Sequence, residues 1–187
     1  MKLKIALAAT VLAMGIAPVI ASSAMHGSAN PMVGGAAMYP TKNIVENALN
    51  SKDHTTLVAA VKAAGLVDTL MSPGPFTVFA PTNAAFARLP AGTVDTLLKP
   101  ENKGTLTTVL TYHVVAGRVT SGQLLGMIKA GHGKAVLTTV AGEKLTAKMM
   151  GKHIVLIDAK GGVATVTIAN VMQSNGVIHV INRVLLP

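Results

Sequence analysis

The sequence has no cysteine and no tryptophan, and only three phenylalanines and two tyrosines among 187 residues. Without cysteine there is no disulfide framework, no thiolate zinc site, no thiol nucleophile and no lipid attachment through a cysteine. So few aromatic rings leave little to stack on bases or sugars. Charge is scarce as well: 12% of residues are charged, and only seven are acids. Apolar residues make up the balance. At 50% hydrophobic content and a mean hydropathy of +0.52, the chain is not disordered in its bulk. Its length suits one domain with a short extension. Sixteen lysines and arginines set the net charge at +9, but only Arg88, Arg118 and Arg183 are arginines. That argues against nucleic acid as the partner.

Lys2 and Lys4 precede an apolar run from Ile5 to Ile20, followed by Ala21, Ser22, Ser23 and Ala24. A basic start, an apolar stretch and small residues form a secretory signal, with cleavage after Ala24 or Ala21. A retained anchor is the alternative, but the run is short for a bilayer and holds Gly15 and Pro18. Cleavage of 1–24 leaves fourteen basic residues against seven acids, a charge of +7. The expectation is an exported bacterial protein, periplasmic or extracellular, with no remaining membrane anchor. Residues 25–41 read as a flexible leader: small residues, Gly34-Gly35, Pro31 and Pro40, and no periodicity. Met25, His26, Met32 and Met38 raise copper ligation, because thioethers and imidazoles suit soft copper. A tail that happens to contain methionines is the favoured reading, and no cofactor is called for.

From residue 42 to about 130 short helices dominate. Leu57, Val58, Val61 and Ala64 recur at helical spacing, and Gly65 is placed to stop the helix in a left-handed turn. Phe76 to Ala80 reads as a strand, with Phe76 and Phe79 assigned to one face. Thr82 or Asn83 is placed to cap the helix that follows. Further short helices carry Val94 and Leu97, then Leu106, Val109 and Leu110, then Leu124, Leu125 and Ile128. After Gly133 the pattern changes to strands at Ala135–Val140, Leu145–Met149, His153–Ile157, Val163–Ile168 and Val177–Leu186. Helices first and strands second predict an α+β domain over residues 42–187.

Three patterns then converge. Phe76-Thr77-Val78-Phe79-Ala80-Pro81-Thr82-Asn83-Ala84-Ala85-Phe86 resembles the first signature of fasciclin-type (FAS1, βig-h3) domains. Tyr112-His113-Val114-Val115 resembles the family's Tyr-His element. Asn175 to Pro187 resembles its closing signature almost residue for residue. The resemblance implies a FAS1 fold: two small β-sheets packed as a wedge, flanked by short helices. It implies adhesion or surface association without catalysis, with a cell-surface or matrix protein as partner; the lysine excess adds an anionic envelope polymer to the expected partners, and the expected state is a monomer. Some fasciclin-type proteins are similar to carriers of carotenoids or lipid-like molecules, which is the alternative. Departures are visible: Asn83 and Ala84 stand where the family often has acids, and Asn182 where it often has Asp. An Asp-Ile pair tied to integrin binding in animal members corresponds to Asn170-Val171 here. A neutral Asn accepts hydrogen bonds but is no charged, metal-linked ligand.

The candidate contact residues are therefore Tyr112, His113, Asn170 and Val171. The Tyr-His element reads either as a contact edge or, by preference, as a buried hydrogen-bonded pair fixing a helix-to-strand junction. His179, mid-strand, reads as a satisfied core histidine; His54, His132 and His153 read as surface residues. Met71, Met127, Met149, Met150 and Met172 are either core filler, the preferred reading, or an adaptable apolar lining. Lys129, Lys134, Lys144, Lys148, Lys152 and Lys160 populate the strand half against only Glu143 and Asp158. They serve either an anionic partner or protection of sheet edges. No nucleophile elbow, phosphate loop or zinc-protease motif is present, and the expectation is no enzyme.

Overall fold

The computed structural model describes residues 29–187. The expected signal sequence 1–24, with residues 25–28 and their Met25 and His26, lies outside the described residues. The second half of the expected leader is folded. Met32–Val33 (β1) and Ala36–Ala37 (β2) form a small antiparallel hairpin, and Val33 and Met38 are buried. Gly34 makes this docking possible, because its carbonyl accepts from the Lys52 amide and a Cβ there would strike Ser51 and the Asp53 backbone. The segment has no periodicity because two apolar anchors, and not a face, hold it down.

The helices form as their caps dictate. Asn43 opens α1 (Ile44–Asn50) with a capping box to Glu46. Next come α2 (Thr55–Ala64), stopped by Gly65 at φ +70°, and α3 (Val67–Met71). Strand β3 (Phe76–Pro81) runs into Thr82, whose hydroxyl caps α4 (Asn83–Ala87). Asn83 does a second job: its Oδ1 accepts from the Thr56 amide, and its Nδ2 donates to the Lys52 carbonyl and the Thr55 hydroxyl, tying α4 to the start of α2. Then follow α5 (Thr93–Leu97), α6 (Lys103–Tyr112), β4 (Val114–Ala116) and α7 (Ser121–Ala130), the last with a Thr120–Gln123 capping box. The strand half comprises β5 (Lys134–Thr138), β6 (Lys144–Met150), β7 (His153–Ile157), β8 (Val163–Gln173) and β9 (Gly176–Ile181).

The strands pair in the order β4-β3-β9-β8-β7-β6-β5. The expected wedge of two small sheets is present, β4-β3-β9 on one side and β7-β6-β5 on the other, joined into one continuous mixed sheet by β8, which belongs to both. One part of β8 pairs with β7 and the other with β9, with register shifts between Val166 and Ile168 and again before Val171. Such bulges bend a strand and let it serve two sheet directions. The far edges approach each other through a Val115–Thr139 bridge. β9 is parallel to β3 and antiparallel to β8, and all six of its residues are buried. The closing segment is a strand only to Ile181; Asn182–Pro187 continues without strand pairing, with Val184 and Leu185 buried.

This curvature makes two cores. Side chains inside the fold of the sheet, among them Phe79, Tyr112, Leu145, Leu156, Ile181 and Leu185, form one cluster, closed by α7 through Leu124 and Ile128. The opposite face of β3, β4 and β9 packs Val78, Ala80, Val114, Ile178 and Val180 against α1, α2, α4 and α6. Phe76 and Phe79 are therefore on opposite faces, contrary to the sequence expectation: three residues apart on a strand is an odd step, and side chains alternate.

Candidate interaction surface and its buried supports

The Tyr-His element stands at the junction where α6 becomes β4. Tyr112 is fully buried; its hydroxyl donates to the Lys144 carbonyl at 3.0 Å and accepts from the Ala159 amide at 3.0 Å. One phenol thus pins the ends of β6 and β7 to the helical half. Burial raises its pKa, so the hydroxyl keeps its proton at any ordinary pH. His113 is buried beside it. Nδ1 lies 2.8 Å from the Val109 carbonyl, which can only accept, so Nδ1 carries the proton. Nε2 is then the acceptor for the Leu185 amide at 2.9 Å. The ring ties the C-terminal segment to α6. Desolvation pushes its pKa down to about 4, opposed in part by the Val109 bond and the Asp158 charge. The imidazole is neutral and both nitrogens are committed.

His179, in the middle of β9, repeats the arrangement in the other tautomer. Nε2 donates to the Val119 carbonyl at 2.8 Å, and Nδ1 accepts from the Asn170 amide at 3.3 Å. Its ring stacks on Phe79 with centroids 5.7 Å apart, and burial lowers its pKa. His54, expected at the surface, is buried: Ser51 turns the chain inward and its hydroxyl meets Nδ1 at 2.9 Å. Desolvation lowers its pKa too. His132 and His153 are exposed as expected.

Asn170 is the exposed member of the candidate set, and it is held in place. It adopts φ +59° at the bulge in β8, a left-handed conformation that Asn tolerates. Its Oδ1 accepts from the Ser121 amide at 2.8 Å, and its Nδ2 donates to the Ser121 hydroxyl at 2.7 Å. It therefore satisfies a free amide at the start of α7. Val171, the next residue, is buried. Of the four candidates, Tyr112, His113 and Val171 lie inside and Asn170 outside. They are connected: Asn170 bonds to His179, His179 stacks on Phe79, and the Phe79 amide donates to the His113 carbonyl.

Sequence reasoning gave no role to Asn175 or to the Asn47–Gln173 pair. Asn175 accepts from the Ile44 amide and donates to the Leu70 and Ser72 carbonyls. Asn47 donates to Gln173 and to the Tyr39 carbonyl. Asn182, in the position of the family's Asp, exchanges two bonds with the Thr165 backbone; neutral amide chemistry suffices there.

An apolar cavity of about 60 Å³ lies between the helices and β3, lined by Leu57, Val61, Leu66, Leu70, Val78 and Leu110 among others. The candidate methionines do not line it. Met71, Met127, Met149 and Met150 are exposed, between 40% and 59%, and Met172 is half-buried; none is core filler. Met38 is core and Met32 is exposed, so the two described methionines of the copper set do not share an environment. Among the described residues no three His, Cys, Asp or Glu side chains converge on a metal position, and no helix is long and apolar enough to cross a membrane.

A mixed sheet folded along one bulged strand, with helices on its outer face and the closing strand in its middle, is the FAS1 fold. The structure of a FAS1 domain pair from the insect cell adhesion molecule fasciclin I superimposes with a TM-score of 0.69 at 18% identity, over 78% of this chain and 51% of that one. The fasciclin-domain profile matches residues 52–187. The chain belongs to the fasciclin-domain family. It is 47% identical over 181 residues to protein sll1483 of Synechocystis, covering 96% of this chain and 93% of that protein. It is 31% identical over 188 residues to the cell surface glycolipoprotein MPB83 of Mycobacterium bovis, covering 90% of this chain and 78% of that one. The family thus includes surface and adhesion proteins.

Proposed function

We propose that this protein is an exported, non-catalytic module that associates with a cell surface, a matrix protein or an anionic envelope polymer through its exterior, as a monomer. One observation carries the reading. The Tyr-His element and its neighbour, Tyr112, His113 and His179, are buried with their polar atoms committed to backbone partners. The chemistry of these three is spent on holding strands, which supports a role for the exterior. Asn170 presents the exposed edge at the β8 bulge; His113, Tyr112 and Val171 support it from beneath.

The rival reading, a carrier of a carotenoid or lipid-like molecule, has the apolar cavity in its favour. A volume of about 60 Å³ is far below the several hundred Å³ that enclose a drug-sized ligand. The surface reading is therefore preferred. The test is attachment: a strain lacking the protein, or wild-type cells competed with purified domain, should lose attachment to matrix or neighbouring cells. An envelope pull-down with wild-type and Asn170→Ala protein reports on the site. Equal attachment with and without the protein refutes the function. Equal retention of a folded Asn170→Ala variant refutes the site. A pigment or lipid extracted from protein of the native host would favour the carrier.

A further inference from the structure

The end of the sheet where β6 turns into β7 separates charge from its counter-charge. Gly151, at φ +61°, and Lys152 make a two-residue turn between Met150 and His153. Lys148, Met149, Met150, Lys152 and His153 are all exposed there, with Met149 at 40% and Met150 at 59%. β5 begins at the same end, and its register sets Lys134 directly opposite Lys148. The two acids of the strand half, Glu143 and Asp158, are in the turns at the other end of β6 and β7. Among the described residues the one ion pair is Lys99–Glu101, so none of these lysines has a carboxylate partner.

Protection of a sheet edge does not explain the arrangement. β5 is the edge strand and β6 and β7 are interior, so edge protection accounts for Lys134 and not for Lys148 or Lys152. Like charges facing each other across a ladder destabilise it, and Met149 and Met150, on opposite faces of the last two residues of β6, both expose apolar surface to water at the tip. Both costs are relieved by an anionic surface with an apolar layer beneath it. An acidic polysaccharide would answer the lysines and leave the methionines in water.

We propose that the β6–β7 tip docks on an anionic phospholipid bilayer, with Met149 and Met150 entering the headgroup–acyl boundary and Lys134, Lys148 and Lys152 ringing them at phosphate depth. The lysine stems are long enough to keep their ammonium groups at the headgroups while the thioethers enter. This deepens the surface-association reading and rests on it for the presence of an envelope membrane.

Residues 25–187 are floated with vesicles of phosphatidylcholine alone or with one third phosphatidylglycerol. Wild type should bind the anionic vesicles and not the neutral ones, and binding should fall as salt is raised. Each lysine neutralised should weaken it about fivefold, so K134Q/K148Q/K152Q should weaken it roughly a hundredfold. M149S/M150S should weaken it about tenfold while binding dextran sulfate like wild type. All five sites are exposed, so folding is preserved and is checked by circular dichroism. No binding of wild type to anionic vesicles overturns the proposal, as does a lysine variant that binds like wild type. If M149S/M150S matches wild type on vesicles, the site is a polyanion site and the bilayer is the wrong partner. Envelope retention of wild type with no vesicle binding would sink this inference and leave the surface-association reading standing.

Discussion

Acid should loosen this protein through His113, by an amount that can be worked out. In the unfolded chain the imidazole titrates near 6.5; in the folded one burial holds it to about 4. Above pH 6.5 both states are neutral and nothing is lost. Between 6.5 and 4 the unfolded chain takes up a proton that the folded one refuses, so stability falls by about 1.4 kcal/mol per pH unit. From pH 7 to pH 5 the loss through this group is ~2 kcal/mol. Below 4 the ring is protonated in both states and the contribution levels off. Protonation at Nε2 also forfeits the bond from the Leu185 amide, so the C-terminal segment should loosen first. His54 and His179 are shifted in the same direction by burial and add to the slope. The assay is urea unfolding followed by far-ultraviolet circular dichroism, since there is no tryptophan, at pH 7 and pH 5. His113→Gln should start less stable at pH 7 and lose about 2 kcal/mol less on acidification than wild type does. Parallel losses in the two proteins would refute the reasoning, because the proton uptake would then lie elsewhere.

Asn175→Ala should cost about 2–4 kcal/mol in the same unfolding assay, because it strands the buried Ile44 amide and removes a donor from the Leu70 and Ser72 carbonyls; a loss below 1 kcal/mol would mean that water replaces the side chain. Truncation after Asn175 removes β9 from between β3 and β8 and should leave no cooperative unfolding transition; a remainder as heat-resistant as the full domain would overturn the account of the core.

The sequence carried the fold where local chemistry is decisive. Gly65 in its left-handed turn and the limits of β7 are written in residue types that accept few alternatives, and the cap of α4 is narrowed to Thr82 or Asn83, of which the structure uses Thr82. Three features were hidden for physical reasons. The β1–β2 hairpin has too few apolar residues for a period, and docking by Val33 and Met38 is a tertiary fact. His54 becomes internal only because Ser51 turns the chain, which no spacing announces. β8 runs to Gln173 through bulges, and a bulge breaks the alternation by which a strand is recognised. The candidate site was legible in part. The choice between contact edge and buried pair for Tyr112 and His113 falls to the buried pair, since both rings are enclosed and hydrogen-bonded. The charge segregation at the β6–β7 turn needed the strand register, because Lys134 and Lys148 are distant in the chain and adjacent across the ladder.

The placement of β9 also governs timing. Phe76 finds its partner in Gly176, a hundred positions later, so the centre of the sheet is vacant until residues 176–181 have been synthesised. Closing so long a loop is slow, and a chain still emerging from the ribosome has nothing to close it on. The polypeptide thus stays open along the middle of its sheet, free to be threaded or bound, until β9 arrives to complete the domain.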